Sequence, residues 1–195
     1  MLRYLRRDAD SSPRPALFLD RDGVLNRHIA DGYVIEPGDF EPIDIALEAA
    51  VAAQTVGAAV VVVTNQGSIG KKRATESQVM VIHGLLLAAL GARGIAIDAI
   101  YVCPHHPMSA DPAQRDCHCR KPKPGLILAA ARDLNLDLAR SMLIGDQPSD
   151  IAAARAAGIA PDRALLVGPT ARPDLVRCVQ EKLVQPESLV GLRSR

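Results

Sequence analysis

The stretch Ala16–Asn26, ALFLDRDGVLN, decides how the rest of the chain is read. An apolar run, Ala16 to Leu19, stops at Asp20, and Asp22 and Gly23 follow. A short apolar run bounded by turn formers reads as a buried strand. The packing of a core has no use for two carboxylates two residues apart. Just past the C-terminal end of a strand, however, is where open α/β sheets bind ligands. Read alone, the two acids suit a turn at Gly23 equally well.

Working outward, the same pattern recurs. The β-branched run Ala58–Val63 stops at Thr64-Asn65-Gln66-Gly67, and Ser141–Ile144 stops at Gly145-Asp146. Ile95–Val102 reads as a further strand leading into Cys103, and Ala164–Val167 as a fifth. Helices are predicted between them. Asp44–Val56 is Ala-rich and closed by Gly57. Thr75-Glu76-Ser77-Gln78 has capping-box spacing and opens a helix through Leu90. Pro124 suits the first turn of a helix to about Asn135, and Ser149 the cap of a helix over 150–157 closed by Gly158. Strands alternating with helices give an α/β fold, a doubly wound, Rossmann-like parallel sheet whose strand ends converge at one crevice. The turn-rich segment Arg27–Pro42 reads as a flap beside the first loop. Residues 1–15 read as a flexible lead-in and 16–195 as a single domain. Its tail from Thr170 has only weak helical patterning around Asp174–Val184 and no visible chemistry.

Composition bounds the function. The chain has 195 residues, 48% hydrophobic and 23% charged, which is ordinary for one soluble domain with a real core. A net charge of +1 gives no reason to expect nucleic acid as a partner. No apolar run is long enough to span a bilayer, and the basic N-terminus lacks the apolar stretch of a signal peptide. The cytoplasm is therefore the expected compartment, with no membrane partner, and a monomer is the default. In a reducing compartment clustered cysteines hold metal more often than they form disulfides.

The crevice would gather Asp20, Asp22, Thr64, Asp146 and Asp150. Clustered carboxylates repel one another, so a hard divalent cation such as Mg²⁺ is the natural fill. An acid beside such a metal can attack phosphorus to give an aspartyl phosphate, and a second acid can protonate the leaving oxygen and then activate water. A hydroxyl (Thr64) and a cation (Lys121) would steady the transferring group. Asp150 also suits a plain helix cap. The second constellation is Cys103-Pro104-His105 with Cys117-His118-Cys119, eleven residues lying between His105 and Cys117. Cys103, His105, Cys117 and Cys119 suit a tetrahedral, structural Zn²⁺ site, with His106 and His118 ranked behind as ligands. The metal would replace a core that the loop 103–119 cannot build.

Asp20-Arg21-Asp22-Gly23-Val24, Val63-Thr64-Asn65-Gln66, Lys121 and Gly145-Asp146 with Asp150 resemble, in order and spacing, the four motifs of the haloacid dehalogenase (HAD) superfamily. The likeness runs from about Ala16 to Gly168. It implies a phosphatase with Asp20 as nucleophile, Asp22 as general acid and base, and Thr64 and Lys121 as phosphoryl stabilisers. Mg²⁺ would be held by Asp20, Asp146 and the backbone carbonyl of Asp22, with no large cap domain. The runs CPHHP and CHCRKPKPG narrow the resemblance to the zinc-containing subfamily of heptose bisphosphate and histidinol-phosphate phosphatases. That subfamily implies a zinc loop that carries Arg120 and Lys121 into the crevice, Arg120 meeting a remote group such as a second phosphate. Asn65 and Gln147 are further candidate substrate contacts. The long span between the ligand pairs favours a heptose bisphosphate as substrate. Histidinol phosphate, another small phosphorylated metabolite, and a catalytically inactive zinc-stabilised binding module are the alternatives. Two departures fall at the substrate mouth: Gly67-Ser68-Ile69-Gly70-Lys71-Lys72 where Ser-Gly-Ile usually follows, and a longer Asn26–Tyr33 segment. Gln147 also stands where the heptose enzyme usually has Lys.

Overall fold

The computed structural model describes residues 1–6, 11–168 and 174–184. Its strands are β1 (Leu2–Leu5), β2 (Ala16–Leu19), β3 (Ala59–Asn65), β4 (Ala99–Cys103), β5 (Met142–Gly145) and β6 (Ala164–Leu166). Its α-helices are α1 (Asp44–Thr55), α2 (Gly67–Gly70), α3 (Glu76–Gly91), α4 (Gly125–Leu134), α5 (Pro148–Ala156) and α6 (Leu175–Leu183). The strands form one sheet in the order β1-β4-β3-β2-β5-β6, parallel throughout except for β1, which runs antiparallel to β4. The chain winds outward from β2 through β3 to β4, then returns to β5 on the other side of β2. Strand order therefore reverses between β2 and β5, the place where doubly wound sheets open a crevice.

Both faces of the sheet are buried, which is why its strands read as continuous apolar runs. Leu17, Leu19, Val60 and Val62 face one layer with Ala46, Leu47, Ala50 and Ala53 of α1 and Leu86 and Leu90 of α3. Phe18, Val61, Val63 and Tyr101 face the other, against Leu126, Ile127 and Ala130 of α4 and Ala153 and Ala154 of α5. Small alanines let the helices lie close, so the core is dense without Trp.

Three expectations need correction. Leu2–Leu5, read as lead-in, is an edge strand: Leu2 and Tyr4 turn partly inward while Arg3 and Leu5 stay out, and register pairs Leu2 with Val102. The strand expected from Ile95 begins only at Ala99. Ile95 and Ile97 are buried, but they pass beneath the end of α3, where the Ile95 amide bonds the Leu90 carbonyl. The N-cap of α5 is Gln147, in a capping box with Asp150, and Ser149 sits inside the helix. The weak helical patterning around Asp174–Val184 is borne out by α6, whose Leu175, Val179 and Leu183 recur at helical spacing and are buried beside α1. Expectations on 7–10, 169–173 and 185–195 lie outside the described residues. Among the described residues no helix is long and apolar enough to cross a membrane.

Candidate active site and metal centre

A cavity of about 320 Å³ opens at the C-terminal ends of β2, β3 and β5. Asp20, Asp22, Thr64, Asn65, Arg120, Lys121, Asp146, Gln147 and Asp150 all line it, with His28, Tyr33 and Val34 of the segment expected to be a flap. They arrive from several separate elements. The Asp20 amide bonds the Ile144 carbonyl at 3.0 Å, so the first loop leaves the sheet locked to β5. Gly23 has a positive φ of 86°, and a Cβ there would lie 2.3 Å from an Asp146 carboxylate oxygen. Only glycine lets the first loop pass so close to Asp146.

Lys121 is the cationic centre. Its buried ammonium lies 2.9 Å from Asp20 Oδ1 and 2.7 Å from Asp150 Oδ1, and it donates to the Val63 carbonyl at 2.8 Å. Burial would lower its pKa, but Asp20 and Asp150 outweigh that and hold it above the usual lysine range. Asp20 moves the other way. Burial pushes it up to about 7, with Asp150 and Asp22 adding to the rise and Lys121 opposing it. Asp146 is likewise raised, chiefly by burial, and its Oδ1 is buried with no hydrogen-bond partner among the described residues. Oxygens of Asp20, Asp146 and Asp150 lie within 4.8 Å of one another. Hard oxygen donors, carboxylates made costly by burial and one orphaned oxygen fit a divalent cation such as Mg²⁺.

Asp150 does both things that its position allowed. Its Oδ2 accepts from the Gln147 amide at 2.9 Å as a helix-capping contact, while Oδ1 pairs with Lys121. Asn65 lines the cavity, but its amide is spent on a reciprocal pair with the Lys121 backbone: Nδ2 donates to the carbonyl and Oδ1 accepts from the amide, both at 3.1 Å. That pair pins Lys121 to the end of β3. Gln147 donates to Asp146 Oδ2 at 2.9 Å. Arg120 donates to the His105 carbonyl at 3.0 Å and, among the described residues, has no ion-pair partner.

Two further residues shape this site, and sequence reasoning missed their roles. Arg21 is fully buried and grips Asp22: Nε and Nη2 reach Oδ1 at 3.0 and 2.9 Å, and Nη2 reaches Oδ2 at 2.9 Å. Gln66 donates from one Nε2 to both Asp22 Oδ2, at 2.8 Å, and Thr64 Oγ1, at 2.9 Å. Asn26 adds a donor to Asp22 Oδ1 at 3.0 Å. Burial alone would raise the Asp22 carboxyl, but Arg21, Asn26 and Gln66 together hold it below the usual carboxylate range. An Arg between two acids was the one signal available for Arg21, and a neutral Gln offers none.

Below Arg120, Cys103, His105, Cys117 and Cys119 converge with all ligand atoms within 4.8 Å. Cys103 Sγ lies 3.6 Å from His105 Nδ1 and 3.7 Å from Cys117 Sγ, while Cys119 Sγ lies 3.2 Å from His105 Nδ1 and 3.5 Å from Cys117 Sγ. A tetrahedral Zn²⁺ with bonds of about 2.3 Å to sulfur and about 2.0 Å to nitrogen spaces its ligand atoms roughly 3.5–3.8 Å apart. The donor set and its spacing fit that ion. His106 turns its Nδ1 to the Met108 amide at 3.0 Å, and His118 is exposed, so neither joins the cluster. A Cβ on Gly125 would lie 2.1 Å from the His118 carbonyl, so the loop sits flush on the start of α4.

Comparison with known proteins came out consistently. Residues 118–181 match the model of the HAD-hydrolase-like family. The chain is 42% identical over 146 residues to the D-glycero-beta-D-manno-heptose-1,7-bisphosphate 7-phosphatase of Photorhabdus laumondii, covering 74% of this chain and 77% of that one. It is equally similar to the protein of that name from Escherichia coli K12, covering 74% and 75%. Among solved structures, a Mesorhizobium loti protein described as a HAD-like phosphatase superposes with a TM-score of 0.82 at 31% identity, over 94% of each chain. The D,D-heptose 1,7-bisphosphate phosphatase of B. bronchiseptica, solved with magnesium and phosphate, gives 0.68 at 33% identity, over 78% and 79%.

Proposed function

Because this chain belongs to the HAD hydrolase superfamily, in the branch of the heptose bisphosphate phosphatases, we propose that it is a Mg²⁺-dependent phosphatase that removes the 7-phosphate from D-glycero-D-manno-heptose 1,7-bisphosphate. The observation that carries this reading is the meeting of Asp20, Thr64, Lys121 and Asp146, from four separate stretches of sequence, in one cavity. The magnesium and phosphate in the related B. bronchiseptica structure support the same chemistry.

Asp20 is the nucleophile. Its carboxylate forms a bond to phosphorus as the ester P–O bond breaks, and the resulting aspartyl phosphate is then hydrolysed. Asp22 gives the proton to the departing sugar oxygen and takes one from the attacking water. It is ionised in the resting site, and a phosphate dianion beside it raises its pKa in the direction that the acid step needs. Thr64 and Lys121 meet the equatorial oxygens, where charge collects in the transition state. Asp20, Asp146 and the Asp22 carbonyl would hold Mg²⁺, which offsets negative charge on the phosphoryl group and the acids around it. Cys103, His105, Cys117 and Cys119 would hold a structural Zn²⁺ that fixes Arg120 and Lys121 in place. Arg120 faces the anomeric phosphate, and Asn65 acts by holding Lys121. The reduced thiol cluster suits a reducing compartment such as the cytoplasm. The chain works as one domain, with β1 completing the sheet of the part from Ala16 onward, and as a monomer.

The test is phosphate release from heptose bisphosphate, histidinol phosphate and sugar monophosphates, with Mg²⁺ and with EDTA. Strong preference for the bisphosphate supports the assignment. Weak, even activity keeps the phosphatase and removes the heptose. No release from folded, zinc-loaded protein favours the binding module.

A further inference from the structure

The acid Asp22 and the hydroxyl Thr64 have different tasks in the proposed reaction, yet one buried pair of side chains touches both. Arg21 carries only donors, so the Gln66 oxygen must face it, as the 3.1 Å contact from Nη2 to Oε1 records. That contact settles which end of the amide points where. The Gln66 NH₂ is thereby turned to the cavity side, where it meets Asp22 Oδ2 and Thr64 Oγ1. Both acceptors are committed by this orientation. With Gln66 donating to its oxygen, the one Thr64 proton stays free for another acceptor; none is found among the described residues, and Thr64 lines the cavity. Arg21 also reaches the Val34 carbonyl at 3.3 Å, so the flap that lines the same cavity is tied to the same guanidinium. Gln66 is 1% exposed and Arg21 not at all, so neither touches solvent or substrate.

We propose that Arg21 and Gln66 are positioning residues, a buried relay that sets the direction of the Asp22 carboxyl and of the Thr64 proton at once. This rests on the phosphatase reading above. Transfer breaks the P–O ester bond, forms the bond from Asp20 to phosphorus and moves one proton from Asp22 to the leaving oxygen. A sugar alkoxide needs that proton, whereas a nitrophenolate leaves without it. The kcat/KM covers steps only through the first irreversible one; Thr64 acts on both substrates and Arg120 is unchanged in the variants, so the difference between the two losses reports on the acid.

The test compares kcat/KM for heptose 1,7-bisphosphate and for p-nitrophenyl phosphate in wild type, Gln66→Glu and Arg21→Lys. The Gln66→Glu change keeps an acceptor for Arg21 but offers a second acceptor where Asp22 and Thr64 need a donor. We expect both substrates to slow, the bisphosphate by about ten times more than the aryl ester, and Arg21→Lys to fall between wild type and Gln66→Glu. Should Arg21→Lys fail to fold, Gln66→Glu, nearly isosteric, carries the test alone. Equal losses for both substrates would overturn the relay and leave the phosphatase intact. A wild type that turns over neither substrate would overturn the phosphatase reading, and the relay with it.

Discussion

Two clusters of candidate metal ligands are linked through one short stretch of chain, and they differ in donor chemistry and in access. The Asp20–Asp146–Asp150 group is all hard oxygen, opens on a cavity and includes a buried oxygen with no partner among the described residues. The Cys103–His105–Cys117–Cys119 group is soft, closed on itself and spaced for four-fold coordination. An open oxygen site can exchange ligands, whereas a closed thiolate site gives stability to a loop with no core. They are joined by two residues, because Arg120 and Lys121 directly follow the ligand Cys119. Whatever fixes the soft cluster therefore fixes the cation of the hard one.

The largest effect should come from Asp20→Asn. We expect a loss of kcat of at least about a thousandfold in phosphate release if Asp20 is the nucleophile, with a melting temperature no lower than that of wild type, since burial already makes its charge costly. Cys117→Ser should damage both clusters at once. It should lower the melting temperature by roughly 5 °C or more and strip most activity, because the lost ligand frees Arg120 and Lys121. Metal removal separates the two: EDTA followed by Mg²⁺ should restore turnover with little change in melting, whereas loss of zinc should move melting first. A melting curve insensitive to zinc would erase the contrast between the sites. Arg120→Ala should cut kcat/KM for the bisphosphate about ten- to a hundredfold, the worth of one charge-assisted hydrogen bond, and leave a monophosphate nearly unaffected.

The smallest effect concerns His83 on α3, which stands apart from both clusters. Burial, then the Arg21 charge, pushes its pKa down to about 3, against an ordinary 6.5. The unfolded chain therefore binds a proton that the folded chain refuses between those values. Stability from this group is full above pH 6.5 and drains as pH falls toward 3, by at most about 1.4 kcal/mol per pH unit. Denaturant unfolding of His83→Leu should show a shallower loss across that window than wild type.

The comparison also shows what a sequence discloses. Asp20, Thr64 and Asp146 were legible because each ends an apolar run, and a polar residue there has no packing role. The cysteine cluster was legible from its ligand types and spacing alone. Asp150 was half legible, since a helix cap and a lysine partner ask for the same residue. The roles of Arg21 and Gln66 were not, because an arginine in a loop ordinarily lies in solvent and an amide carries no charge to betray it. Their contacts form only once the loops after β2 and β3 close on each other. Edge strand β1 escaped because arginines surround its two inward residues, so its weak alternation was lost in charge. The late start of the strand expected from Ile95 reflects a loop whose apolar residues are buried without pairing.

The most direct measurement is an acid quench of the enzyme during turnover of the bisphosphate, followed by mass spectrometry of its peptides. We expect a base-labile phosphoryl adduct on the peptide that carries Asp20, absent in Asp20→Asn. Steady phosphate release with no adduct on Asp20 at any quench time, or an adduct elsewhere, would contradict the role given to the strand-end carboxylate from which the whole site is built.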